Sequence, residues 1–188
     1  IDVIYEDEFA AVLNKPAGIA VHPTLNHTSG TLANGWLYRL KCRGEDGVFR
    51  PVNRIDKNTS GLVLCAQNAF AAPELAKTAQ KVEGPLPVGS GRIDVPIARR
   101  GDSIIGRCVR EDGKPSVTEY TVLAASASHA LVSCFPVTGR THQIRVHFSW
   151  LGHPLAGDSL YGGHTDIIAR HALHCAVLRF NRPADHEP

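Results

Sequence analysis

The stretch "TGRTHQIRVHFSWLGHP", residues 138–154, decides how the second half of the chain is read. Its apolar and polar residues alternate, as in a half-buried strand. Ile144, Phe148 and Leu151 also fall at i, i+4 and i+7, and Gly152 and Pro154 follow as a stop. The stop favours a helix, with Thr141 as its expected N-cap. On that helix Arg145 lies one turn after His142, and both sit near the N-terminus, where free N–H groups and the dipole favour an anion. That anion is either a phosphate or the carboxylate of Asp56, and a solvated basic face is the plainer reading. Arg140, His142, Arg145, His147 and His153 have no acid among them, and their spacing is neither H-x-x-x-H nor H-E-x-x-H. A metal site is therefore excluded.

Outward from this helix the pattern is mostly strands. Val117–Leu123 and Ala130–Val137 read as a hairpin through Ser126–His129, and Ala172–Phe180 as a closing strand. The chain opens with another hairpin, Val3–Tyr5 against Phe9–Leu13, and Pro16 and Gly18 mark a turn before Ile19–Val21. Thr31–Leu40 has helical spacing, with Ser29 or Thr31 as N-cap. Cys42–Arg50 is a polar, Gly-rich loop and Leu62–Ala66 a buried strand. Phe70–Lys81 is expected to be a helix through Phe70, Leu75 and Ala79, with Pro73 in its first turn. Gly84–Gly91 is a connector, and without an internal repeat it is no domain boundary. The expectation is one α+β domain over residues 1–188, dominated by strands.

Bulk numbers exclude several classes. The chain has 188 residues, 43% hydrophobic and 20% charged, which suits one folded core. A net charge of +2 means that any nucleic-acid surface must be local. Arg39, Lys41 and Arg43, and Arg99, Arg100, Arg107 and Arg110, are candidates for it. Five scattered cysteines without a C-x-x-C pair read as reduced thiols of a cytoplasmic protein. No apolar run reaches the roughly 18 residues that span a bilayer. There is no Met, so the chain is expected not to begin at its gene start.

"VNRIDKNTSGLVLCA", residues 52–66, carries the second candidate. One acid, Asp56, sits between Arg54 and Lys57, ahead of turn formers and an apolar strand. An Asx-turn explains an Asp in such company. A carboxylate at the end of a buried strand and held ionised by guanidinium groups is also a nucleophile. The residues alone leave both readings open.

Five stretches in order resemble one family. "NRIDKNTSGL" (53–62) and "TGRTHQIRVHFSWLGHPLAGDSLYG" (138–162) are similar to the two long signatures of the RluA-type pseudouridine synthases. "NKPAGIAVHP" (14–23), "GKPSVTEYTVL" (113–123) and "ALHCAVLRF" (172–180) are similar to their flanking elements. The resemblance implies a mixed, mainly antiparallel sheet with flanking helices. It implies isomerisation of uridine in ribosomal or transfer RNA: the N1–C1′ bond breaks, the uracil turns, and C5 rejoins the ribose. It maps the family's indispensable acid onto Asp56 and the arginine paired with it onto Arg145. Arg54 matches an arginine tied to the flipped-out nucleotide, and Leu173 an apolar residue of the uracil pocket. With Thr59, Arg140 and His142 these are the expected substrate-binding residues. A base must leave its helix to be reached, and the freed uracil must be kept from water. No cofactor or metal is expected, the partner is RNA, and the chain is expected to be a monomer.

Two departures stand out. Asn53 occupies a position where the family more often has His. The family also carries a Tyr on the strand after the helix that follows the Asp motif, and here "AKTAQK" meets "VEGPLP" with no Tyr between. Residues are expected to be missing between about Gln80 and Glu83. Two other functions fit the same residues: an RNA-binding module without catalysis, and a nucleosidase pairing Asp56 with Asp158, which needs carboxylates about 5 Å apart.

Overall fold

The computed structural model describes residues 1–24, 28–67, 73–84 and 86–180, with the backbone alone for residues 73–81. The chain divides into two compact units, Ile1–Ala76 with Cys175–Pro188, and Lys77–His174. The architecture is α+β, and every strand pair whose register is resolved is antiparallel.

In the first unit β1 (Asp2–Glu6) and β2 (Ala10–Lys15) form the expected hairpin. Asp7 closes its turn, its carboxylate accepting from Phe9 N–H at 2.9 Å and Ala10 N–H at 2.7 Å. The short β3 (Arg50–Pro51) and β2 both pair with β4 (Ser60–Ala66), and β11 (Leu173–Phe180) lies next to β4. Helix α1 (Leu32–Cys42) starts at Thr31 and not at Ser29. The Thr31 hydroxyl accepts from Asn34 N–H, and the Asn34 side-chain carbonyl accepts from Thr31 N–H at 3.0 Å, a reciprocal cap. Leu32, Trp36 and Leu40 then bury one helix face among Leu13, Val21, Val63 and Cys65. Ile19–Val21 joins no ladder, and the carbonyls of Ala20 and Val21 accept from the first N–H groups of α1.

In the second unit β5 (Pro73–Glu83), β10 (His129–Pro136), β9 (Val117–Ala125) and β6 (Gly89–Asp94) are neighbours in that order. A separate ribbon pairs β7 (Ile97–Arg99) with β8 (Arg107–Val109). The helix expected over Phe70–Lys81 is not formed. Pro73–Glu83 is a strand whose register with β10 runs unbroken from Thr78 opposite Cys134 to Glu83 opposite His129; positions 68–72 lie outside the described residues. Leu75 and Ala79 satisfy a helical period locally, but from Thr78 to Glu83 the segment is held in a ladder with β10, and the tertiary context overrides propensity. The same ladder fills Gln80–Glu83 without interruption.

Helix α2 (Gln143–Trp150) confirms the helical reading of the opening stretch. Its N-cap is His142, not Thr141, and His142 adopts the left-handed region at φ 56°. Its end is a Schellman motif: His153 N–H bonds Phe148 O at 2.9 Å, and Gly152 N–H bonds Ser149 O at 3.1 Å, with Gly152 at φ 85°. Ile144 and Phe148 bury the apolar face of α2 among Val82, Val122, Val132 and Leu155. The Phe148 ring meets Tyr120 edge-on at 5.4 Å.

Candidate active site

Two groups of residues carry the site features, one in each unit. In the first, the segment leading into β4 presents Asp56, half-buried, between exposed Arg54 and exposed Lys57. The segment is fixed at both ends. Asn53, the residue that departs from the family pattern, behaves like an extra strand residue. Its amide donates to Leu62 O at 3.1 Å, and its carbonyl accepts from Leu64 N–H at 2.8 Å. At the other end Thr59 is buried, and its N–H donates to the Asp56 carbonyl at 3.0 Å.

Between these ends acts a residue with no signal in the local pattern. Lys15 is completely buried, and its Nζ donates to the carbonyls of Pro16 at 2.9 Å, Ile19 at 2.8 Å and Lys57 at 2.9 Å. Gly18 N–H also donates to Lys57 O at 2.9 Å. The "NKPAG" turn is thus bolted to the peptide that follows Asp56. Gly61, at φ 114°, completes the fit: a Cβ there would lie 2.3 Å from the carbonyl oxygen of Cys175 on β11.

In the second unit α2 places Arg145 inward, 6% exposed, so its basic residues do not form a solvated face. Its guanidinium grips Asp158 with both arms, Nε to Oδ2 at 2.7 Å and Nη2 to Oδ1 at 2.8 Å. Both oxygens of Asp158 are engaged, which leaves it unsuited to act as a second glycosidase carboxylate. The Arg145 cation also lies 4.9 Å from the centre of the Tyr161 ring. The Tyr161 hydroxyl accepts from Arg107 N–H at 3.0 Å and lies in hydrogen-bond contact with Nδ1 of His142, 2.7 Å away. Burial pushes the Tyr161 phenol above its ordinary pKa. His142, Arg145, Asp158 and Tyr161 therefore form one connected group.

The other expected residues lie in different settings. Arg140 is exposed, with Nε donating to Pro115 O at 3.1 Å. Leu173 is buried in the apolar cluster around Phe148 and Leu155. Arg39 and Arg43 both bind Glu6, at 2.9 and 2.8 Å, so part of that cluster's charge is offset locally. His147 is fully buried: Nε2 donates to Val95 O at 3.1 Å, and Nδ1 faces the Thr118 hydroxyl at 2.9 Å. Desolvation lowers its pKa, keeping it neutral. Among the described residues, no three His, Cys, Asp or Glu gather closely enough to hold a metal ion.

Similarity to known proteins coincides with these elements. The family model described as RNA pseudouridylate synthase matches residues 10–150, from the first residue of β2 to the last of α2. The RNA pseudouridine synthase YjbO of Bacillus subtilis (strain 168) is 41% identical over 198 aligned positions, covering 100% of this chain and 70% of its own length. That alignment is longer than the 188 residues of this chain, so the relative carries residues that this chain lacks. Ribosomal large subunit pseudouridine synthase D of Pseudomonas aeruginosa is 35% identical, over 98% of this chain and 65% of its own length. The chain spans 60% to 70% of the first curated relatives that it matches. Among solved structures, human RNA Pseudouridylate Synthase Domain Containing 1 superposes with a TM-score of 0.78 at 26% identity, covering 98% of this chain and 80% of that one. With both the Asp56 segment and α2 inside the matched span, the chain belongs to the RNA pseudouridylate synthase family.

Proposed function

We propose that this protein converts specific uridines of structured RNA to pseudouridine, with Asp56 acting on the ribose of a flipped-out nucleotide. The observation that carries the reading is the family match over residues 10–150, within which the segment 53–62 holds a single carboxylate, Asp56. The geometry agrees with it. Asp56 sits on a segment fixed by Asn53, Lys15 and Thr59, as an attacking group must be held in place. Arg145 is the buried cation of the reaction, its fork held in one orientation by Asp158.

In the reaction the N1–C1′ bond breaks, the uracil turns in place, and a C5–C1′ bond forms. C5 loses its proton and N1 gains one, so composition is unchanged. Nothing is oxidised or hydrolysed, and the chemistry calls for no cofactor or metal. Arg54, Thr59, Arg140, His142 and Leu173 serve substrate binding or its support. Ribosomal RNA is the first target to test, because one relative is named for the large ribosomal subunit; transfer RNA is the second.

The test is to incubate the protein with unmodified ribosomal and transfer RNA transcripts and map pseudouridine by chemical labelling and primer extension. Label at discrete uridines, lost in Asp56→Asn, is expected. One feature favours a second reading, a module that binds RNA without modifying it: β5 contains no Tyr, whereas the family carries a stacking Tyr on this strand. Tight RNA binding without label would decide for that module, and release of free uracil would make the chain a nucleosidase.

A further inference from the structure

Beside the Arg145 group lies a cavity to which none of the expected site residues contributes a wall. It is open, holds about 470 Å³, and lies between the β7–β8 ribbon and the C-terminal half of α2. Val146 and Leu160 give it apolar walls, and Arg100 and Arg107 border it from the ribbon. Its aromatic surface is Trp150, the last residue of α2, which is 54% exposed. Trp36, the only other Trp, is 2% exposed inside the core of the first unit. A large ring left in water beside two cations is not explained by packing. It is the composition of a nucleotide site, with a π-face for a base and guanidinium groups for a phosphate.

The cations are available on modest terms. Arg100 is held by Asp102, with Nε and Nη2 each at 2.9 Å from a carboxylate oxygen, but Asp102 is 68% exposed. An exposed pair of this kind contributes little and is readily exchanged for a phosphate. Arg107 donates from Nη1 to Ile105 O at 3.1 Å and Gly106 O at 3.0 Å, which sets its guanidinium against the ribbon turn. No acidic side chain lines the cavity itself.

Tyr161 links this cavity to the candidate active site. It is one wall of the cavity, its ring lies beneath Arg145, and its hydroxyl holds both His142 and the backbone of Arg107. Along the axis of α2 the rise from Arg145 to Trp150 is about 7.5 Å, with the two positions roughly 140° apart around the helix. Tyr161, which touches Arg145 and lines the cavity, is the bridge between them.

We propose that this cavity binds a second nucleotide of the substrate RNA, near the one being isomerised, with its base stacked on Trp150 and its phosphate held by Arg100 and Arg107. This rests on the reading of the protein as an RNA-modifying enzyme and adds a subsite that selects an unpaired base beside the target. Sequence preference around the modified uridine then depends partly on how well the neighbouring base stacks.

Trp emission tests it without relying on turnover. A single-stranded oligoribonucleotide of alternating adenosine and uridine, about ten residues long, is titrated into the full 188-residue chain. The expected result is saturable quenching that vanishes in Trp150→Phe, where only Trp36 still emits. Arg100→Gln combined with Arg107→Gln should weaken the oligonucleotide about tenfold, as should Trp150→Ala. Unmoved emission while a filter assay shows the oligonucleotide bound would overturn the proposal, as would no binding in either assay. Quenching by adenosine monophosphate alone at equal affinity would also overturn it, in favour of a free-nucleotide site. Transcript labelling run in parallel separates the two readings. Pseudouridine without quenching sinks the subsite and keeps the isomerase, whereas quenching without pseudouridine keeps the subsite and sinks the isomerase.

Discussion

Lys15 and Arg145 are both buried cations, yet they are satisfied by different means. The Lys15 ammonium ends on three neutral carbonyls, so it acts as a compact three-point clamp. Replacing it by Met leaves those carbonyls short of a donor in a dry site, which should cost about 3 kcal/mol in urea unfolding. Pseudouridine formation should fall further than stability does, because one of the three carbonyls belongs to the residue after Asp56. Arg145 instead meets an opposite charge, and side-chain exposures of 7% and 1% place that ion pair out of solvent. Asp158→Ala removes the carboxylate that holds both arms of the fork, and the unfolding free energy should drop by about 3–5 kcal/mol. Arg145→Lys keeps the charge but loses the planar fork. It should therefore fold while giving little product, and a variant with full product formation would remove Arg145 from the mechanism.

At the scale of elements, α2 is built around a chain of polar side chains rather than an apolar stripe alone. Gln143 donates to Val117 O at 2.8 Å and to the Thr118 hydroxyl at 3.0 Å, and it accepts from Thr138 at 2.7 Å. Thr118 in turn faces His147. Because desolvation depresses the pKa of His147, the unfolded chain binds the proton more readily than the folded one. Stability from this residue is complete above about pH 6.5 and is lost as pH falls below it. His147→Gln should flatten the pH dependence of the unfolding midpoint between about pH 7 and pH 5. Much of this element was legible in the sequence: Ile144 and Phe148 mark its buried face, and Gly152 and Pro154 its end. Its start was not, because His142 takes the N-cap position in a left-handed conformation without a side-chain cap bond, its ring engaging Tyr161, 19 residues away. The pairing of Arg145 with Asp158 was hidden because the partners are 13 residues apart, and the clamp of Lys15 because it joins its neighbours Pro16 and Ile19 to Lys57, 42 residues on. β5 was misread because Leu75 and Ala79 suit a helix, and it is pairing with strands remote in sequence, such as β10, that makes the segment a strand. Asp56 was legible as a motif, but the clamp that fixes it was not.

Across the whole molecule, several surface arginines among the described residues are matched by nearby carboxylates. Glu6 takes Arg39 and Arg43, Arg92 reaches Asp94 and Glu119, and Arg110 grips Asp112. RNA affinity should fall with salt to the extent set by the cations at the candidate sites. Contacts by Arg54, Arg100, Arg107 and Arg140 correspond to a slope of about −3 in log K against log salt, at about −0.7 per phosphate on a single strand. A slope twice as steep would reveal a wider basic surface. The thiols should divide into two classes: exposed Cys42 and half-exposed Cys108 react in the native protein, whereas Cys65, Cys134 and Cys175 wait for unfolding. Cys175 is the extreme case, its pKa pushed up to about 11 by burial. The lysines offer a finer probe of the same kind. Lys41, Lys57 and Lys114 stand in solvent, and Lys15 alone among them is sealed. An acylating reagent will tag the exposed amines at once and reach Lys15 only when the turn lifts away from the Asp56 segment. The slow appearance of the acylated Lys15 peptide is thus a clock for how often the candidate nucleophile loses its footing, readable by mass spectrometry without any RNA present.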